Sequence, residues 1–313
     1  MSNKLYNKRL LMAKIGAGEY PTDAVPTAAD NAILTSNLKF QPFQGATVVL
    51  DYDRRNLGAG KSIYTGTHAK LTCDVDISGA GAAGDVPPWG ALLRMCGFSE
   101  TVEEGVSVVY APVSEGFEWG TMYFNHDGKL QKMQGVRGNV SFGLTKEGLP
   151  KMSFEFWGLW NAAPTAVAFG EPDFDAFVEP IPVNAVNTPT FTVDAFAANA
   201  ESFTFNAGWT VSYRNVVGNE AVLITDRDGS GAMTLETVAL ADYDFYETVR
   251  ECEVVPINLV HGTEAGNIVQ FDAKAQLMMG EDSDSQGLSV TPFNLRLVPT
   301  LNDGDDELII TVK

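Results

Sequence analysis

The segment Lys129–Trp160, KLQKMQGVRGNVSFGLTKEGLPKMSFEFWGLW, restricts the possible folds of this chain more than any other. Val140, Phe142 and Leu144 alternate with Asn139, Ser141, Gly143 and Thr145. Further on, Met152, Phe154, Phe156 and Trp160 share one parity, and Ser153, Glu155, Trp157 and Leu159 the other. A period of two sends successive side chains to opposite faces of a sheet. The connection Lys146-Glu147-Gly148-Leu149-Pro150 carries the glycine and proline of a tight loop, so the segment predicts a hairpin. Its second strand is bulky on both faces, which predicts cover from both sides.

The rest of the chain repeats this style. Alternation predicts strands at Ala32–Phe40, Thr47–Tyr52 and His68–Ile77, with a long polar, glycine-rich excursion around DRRNLGAGKSIYTG. Pro87-Pro88 before WGALLRMCGF, with Gly97 behind it, predicts a short helix, and DFYETVREC at Asp244–Cys252 predicts another. In the second half, Ser202–Phe205, Thr210–Arg214, Ile268–Met279, Leu288–Val298 and Glu307–Val312 read as strands. Ala221–Thr225 and Ala232–Val238 flank DRDGSG and read as a hairpin. Thr291-Pro292 suggests a bulge or an edge position. Residues 1–30 show little periodicity and read as an extended arm outside any core. Residues 161–189, rich in proline, alanine and acid, read as a linker with docked Phe169, Phe174 and Phe177. Two blocks, 31–160 and 190–313, share an order of strands, short helix and hairpin, which suggests a duplicated domain.

The formal net charge of −19 is unevenly placed: −1 in residues 1–160 and −18 in residues 161–313. Such a second half argues against ordinary binding to a phosphate backbone, which needs clustered Lys and Arg. It is compatible with a surface that must not stick to nucleic acid. Cys73, Cys96 and Cys252 are too few and too far apart for a disulfide framework, which points to folding in a reducing compartment. Leu10–Ala13 is too short for a signal-peptide core, and no stretch nears the ~18 apolar residues of a membrane span, so synthesis in the cytoplasm is expected. Gly60-Lys61-Ser62 only mimics the end of a phosphate loop, and DRDGSG only the start of a calcium loop. His68, His126 and His261 lack zinc-site spacing, and no nucleophile elbow is present. No catalytic constellation, metal site or cofactor is expected.

Three segments in order, ANAILTSNLKFQPFQGATVVLDYDR, PPWGALLRMCGF and GVRGNVSFGLTKEGLPKMSFEFWGLW, resemble the tail tube proteins of tailed bacteriophages, in particular those of Mu-like phages with long flexible tails. The resemblance covers most of residues 30–160. It implies an all-β chain with short helices, two tandem tail-tube β-sandwich or barrel domains, and inner strands that join a ring-wide β-barrel. It further implies a non-enzymatic structural virion protein, a homotrimer forming pseudo-hexameric rings. Those rings would stack into a tube in the virion tail, assembled in the host cytoplasm, that passes double-stranded DNA during ejection without binding it specifically. Partners implied are further copies of the chain and the tail terminator, tape measure and distal tail proteins, with no membrane. On this reading Asp74, Asp76 and Asp272 are candidates to face the channel. Trp157, Leu159, Arg54, Arg55 and Lys61 are candidates for contacts between subunits. An alternative from another class is a tandem β-sandwich that binds carbohydrate or decorates a virion through exposed Trp157, Trp160 and Trp209.

Overall fold

A computed structural model describes residues 3–160 and 163–313. The first half runs β1 (Arg9–Ile15), α1 (Ala28–Asn31), β2 (Ala32–Ile33), β3 (Ser36–Gln44), β4 (Thr47–Val49), β5 (Ser62–Tyr64) and β6 (His68–Asp76). It continues with α2 (Gly90–Met95), β7 (Phe98–Glu103), β8 (Ser107–Pro112), β9 (Gly120–His126), β10 (Lys129–Thr145), β11 (Lys151–Leu159) and β12 (Thr165–Ala166). The second half runs β13 (Thr190–Val193), β14 (Phe196–Ala197), β15 (Ala200–Asn206), β16 (Trp209–Val216), β17 (Asn219–Arg227), β18 (Ser230–Glu236) and α3 (Phe245–Arg250). It closes with β19 (Val254–His261), β20 (Val269–Met279), β21 (Ser283–Ser285), β22 (Leu288–Leu297) and β23 (Leu308–Val312). Among the described residues the chain is all-β with three short helices, none of them long and apolar enough to cross a membrane.

The hairpin expected at Lys129–Trp160 is β10 and β11, with Phe142 opposite Met152 and Val140 opposite Phe154. β11 also pairs with β6, and β6 with β3. In the second half β15 pairs with β18, β18 with β22, and β22 with β20. Both halves therefore use one ladder plan: β3–β6–β11–β10–β9 corresponds to β15–β18–β22–β20–β19. Each places a two-stranded hairpin between its first two strands, β4–β5 or β16–β17, and a short helix after the second. The Asp244 side chain caps α3 by accepting from the N–H groups of Tyr246 and Glu247. Gly97, at φ +75°, ends the turn after α2.

The two plans are joined along a strand edge. Ser141–Thr145 of β10 pair with Asn206–Ser202 of β15, antiparallel and in unbroken register. A second link pairs Val108–Tyr110 of β8 with Val312–Ile310 of β23. The core is shared accordingly. Phe142 from the first half meets Phe271 from the second at 5.3 Å between ring centroids, and Phe205 meets the same ring at 6.4 Å. Phe203 and Phe205 stand edge to face at 4.1 Å.

Four sequence expectations are corrected. Arg9–Ile15 is not part of an arm outside the core: it pairs with β9 along its whole length, and Leu11 and Ala13 are buried in the main core. β17 and β18 do not form the hairpin expected around DRDGSG. β17 folds back on β16 through the nearer turn at Val217-Gly218, where Gly218 takes φ +87°, while β18 joins the main sheet. Pro292 lies in an interior strand between β18 and β20, and the irregularity it signals falls in its neighbour, interrupted between Met279 and Ser283. Trp209 is only 5% exposed, seated against the Phe98 and Phe117 rings. A Cβ on Gly97 would lie 2.9 Å from its indole, so glycine there also admits the ring.

Phe271→Ala removes a ring that both halves share. It should cost about 3–5 kcal/mol in denaturant unfolding, with both halves lost in one transition. A shift under ~1 kcal/mol, or loss of residues 190–313 alone, would contradict a shared core.

Candidate assembly surface

The seam between β10 and β15 makes one continuous run of eight strands, in the order β3–β6–β11–β10–β15–β18–β22–β20, within a sheet that continues from β20 into β19 and β23. Residues directly opposite each other in adjacent strands lie on one face, so its chemistry can be traced across the molecule. One row reads Val75, Met152, Phe142, Phe205, Gly231, Leu295 and Leu277, which is the core side. The next row, on the opposite face, reads Ser36, Asp74, Ser153, Ser141, Asn206, Ser230, Arg296 and Gln276. A small-polar face thus spans both halves without interruption, a pattern that two unrelated sheets would not share.

The polar side chains on this face are held by one another. The Asp74 carboxylate accepts from Asn37 Nδ2 at 2.6 Å and from Ser153 Oγ at 2.8 Å. Asn139 Nδ2 donates to Asn206 Oδ1 at 2.9 Å, directly across the seam, and Asn139 Oδ1 accepts from the Trp209 N–H at 3.0 Å. Asp76 lies opposite Lys151 on the same face, with one carboxylate oxygen buried and unpartnered among the described residues. Asp272 shares the outward parity of Gln276 in β20 and accepts from Asn258 Nδ2 at 2.5 Å and Gln270 Nε2 at 2.7 Å. The three aspartates expected to act together therefore share a face, but Asp272 stands at the far side of the sheet from Asp74 and Asp76.

One end of this face is covered from within the chain. β16 and β17 pack over β10 and β11, burying Ala221, Val222 and Ile224. Arg137 fastens this cover: its guanidinium donates to the carbonyls of Val222 (2.8 Å), Phe117 (2.9 Å) and Glu118 (3.1 Å) and lies 5.3 Å above the Tyr20 ring. Tyr20 accepts the Val222 N–H at 2.8 Å and donates to the Gly135 carbonyl. Burial pushes the Tyr20 phenol up and the Arg137 guanidinium down from their ordinary pKa values. Nothing in the sequence pattern marks Arg137; its role depends on a hairpin about 80 residues away that only the fold brings near.

The expected subunit-contact residues divide accordingly. Leu159, 2% exposed, is buried within its own chain because this end of β11 is the covered end, so it is not a surface contact. Trp157 is half-buried, with Lys70 Nζ 4.9 Å from its ring and Lys70 paired to Glu155 at 2.7 Å. Arg54, Arg55 and Lys61 are exposed on the β4–β5 hairpin, whose Val48, Val49, Tyr52, Leu57, Ile63 and Tyr64 are exposed as well. The same position in the ladder plan is thus packed in one half and bare in the other. Among the described residues no group of three His, Cys, Asp or Glu side chains is gathered for a metal ion. Cys73 and Cys96 are buried, and burial raises their thiol pKa values.

Arg137→Met leaves three part-buried carbonyls without their donor. It should lower stability by roughly 1.5–3 kcal/mol and speed amide exchange at residues 219–224 while leaving Leu71–Val75 unchanged. Unchanged exchange at 219–224 would remove Arg137 as the clamp.

The chain matches the family model for phage tail tube proteins over residues 13–309. No match is found among curated proteins. With that match spanning nearly the whole length, and with an all-β fold, the chain belongs to the phage tail tube protein family, a family of structural proteins of the virion tail.

Proposed function

We propose that this chain is the major tail tube subunit, that its copies close into rings, and that the rings stack around a channel through which double-stranded DNA leaves the virion. The observation that carries the reading is the eight-strand run of sheet with a continuous polar face and an apolar reverse. A tube wall needs such a sheet: wet on the channel side, packed on the other, and extendable at its edges. Residues 31–160 and 190–313 serve as two tandem tube domains joined by residues 161–189, so three chains supply six domains to a ring. Asp74, Asp76 and Asp272 face the channel, where negative charge repels the DNA phosphates and keeps passage from becoming binding. Arg54, Arg55 and Lys61, with Trp157, belong to contacts between copies. The tail terminator, tape measure and distal tail proteins meet the ends and interior of the tube, and the chain works without a cofactor or catalytic chemistry.

The carbohydrate-binding alternative loses support, because the tryptophan on which it most depended, Trp209, is buried. Negative-stain electron microscopy of the concentrated full chain tests the proposal: stacked rings with a stain-filled channel are expected. A protein that stays monomeric at every concentration and forms no tubes would overturn it.

A further inference from the structure

The seam inside the chain supplies a template for a contact that the chain leaves open. β15 offers one edge to β18 and the other to β10, with Thr204 opposite Ala232 on one side and Gly143 on the other. β3 holds the corresponding place in the first half, with Lys39, Phe40 and Gln41 opposite Thr72, Leu71 and Lys70 of β6. Its other edge carries no strand among the described residues.

The complementary edge is open too. β9 covers β10 up to Val136, and β15 takes over from Ser141 on that side. In the second half β19 covers β20 up to Gln276, and among the described residues no strand takes over along β21. Hairpin registers fix the correspondence: Gly143 lies opposite Lys151, which lies opposite Asp76, and Ser283 lies opposite Val290, which lies opposite Glu236. Ser283 therefore stands where Gly143 stands.

Two further features agree with an occupant at these edges. Glu281, Asp282 and Asp284 are exposed on the open β21 side, and the exposed Lys39 lies on the open β3 side, with Arg54, Arg55 and Lys61 on the adjoining hairpin. The β16–β17 hairpin covers β10–β11 within the chain, whereas its counterpart β4–β5 is bare, and Met278 is 50% exposed on the outward face of β20.

Resting on the tube-subunit reading above, we propose that a second copy of this chain fills both vacancies. The outer edge of β3 in one copy adds to the β20–β21 edge of the next, with Lys39 opposite Ser283, as Thr204 lies opposite Gly143. The β4–β5 hairpin lies over the next copy's outward face near Met278, and its basic tip meets the acids of residues 281–284. The contact is head to tail, so every copy both gives and receives a strand, and repetition closes into a ring.

The full chain tests this in a Cys252→Ser background, since Cys73 and Cys96 are buried. Lys39→Cys protein is mixed with Ser283→Cys protein, assembled, and mildly oxidised. Directly opposed residues in an antiparallel pair have a Cα separation of about 4.5–5.5 Å, within disulfide reach. A reducible covalent dimer is expected from the mixture, a ladder of higher multimers from the double variant, and neither from a control pair away from the proposed edge, Lys39→Cys with Asn302→Cys in the loop before β23. Lys39→Glu should weaken assembly roughly tenfold, and adding Glu281→Lys, on the same face as Ser283 and one diagonal step away, should restore it. Tubes that form without this cross-link, or a disulfide confined within single chains, would overturn the interface and leave the tube function standing. A chain that never assembles would overturn both.

Discussion

An unpaired strand edge exposes a row of amide and carbonyl groups that water, a side chain or another strand must satisfy. This chain meets that constraint once inside itself, by laying Ser202–Asn206 along Ser141–Thr145. Most other features of the molecule follow from that seam. It brings Phe205 and Phe203 beside Phe142 and so merges two cores into one. It sets the β16–β17 hairpin over the neighbouring strands, where Arg137 and Tyr20 lock it. It also aligns the outward residues of both halves into a single polar face.

The same constraint gives the proposed function its physical basis. A run of strands with an open edge at β3 and an open stretch at β21 extends most readily with more of the same sheet. The alternation of side chains then ensures that whatever faces the channel in one copy faces it in all. On the proposed reading, the charge of the second half and the aspartates of the polar face would make such a channel unattractive to DNA phosphates, which suits a conduit better than a binding site.

Much of this was legible in the sequence because it is local. The β10–β11 hairpin, the α2 and α3 helices and the polar parity of Asp74 and Asp76 all follow from spacing, turn residues and capping. What escaped is non-local. Leu10–Ala13 is a short apolar run whose burial depends on β9, more than 100 residues later. Trp209 looked exposed because its cover comes from Phe98 and Phe117, and Leu159 looked like a contact residue because its cover comes from β17. A β17–β18 hairpin does not form because two turns compete for β17, and the tighter one at Gly218 wins. The seam itself has no local signature, since pairing between β10 and β15 is written only in the compatibility of their edges.

Hydrogen exchange of the two corresponding edges tests the central claim most directly, that one strand-to-strand junction is made within the chain and repeated between chains. In the dispersed protein, amides of Ser202–Asn206 should exchange slowly and the outward amides of Leu38–Gln41 quickly; in the assembled protein both should be slow. Outward β3 amides already protected in the dispersed chain, or still fast after assembly, would contradict it.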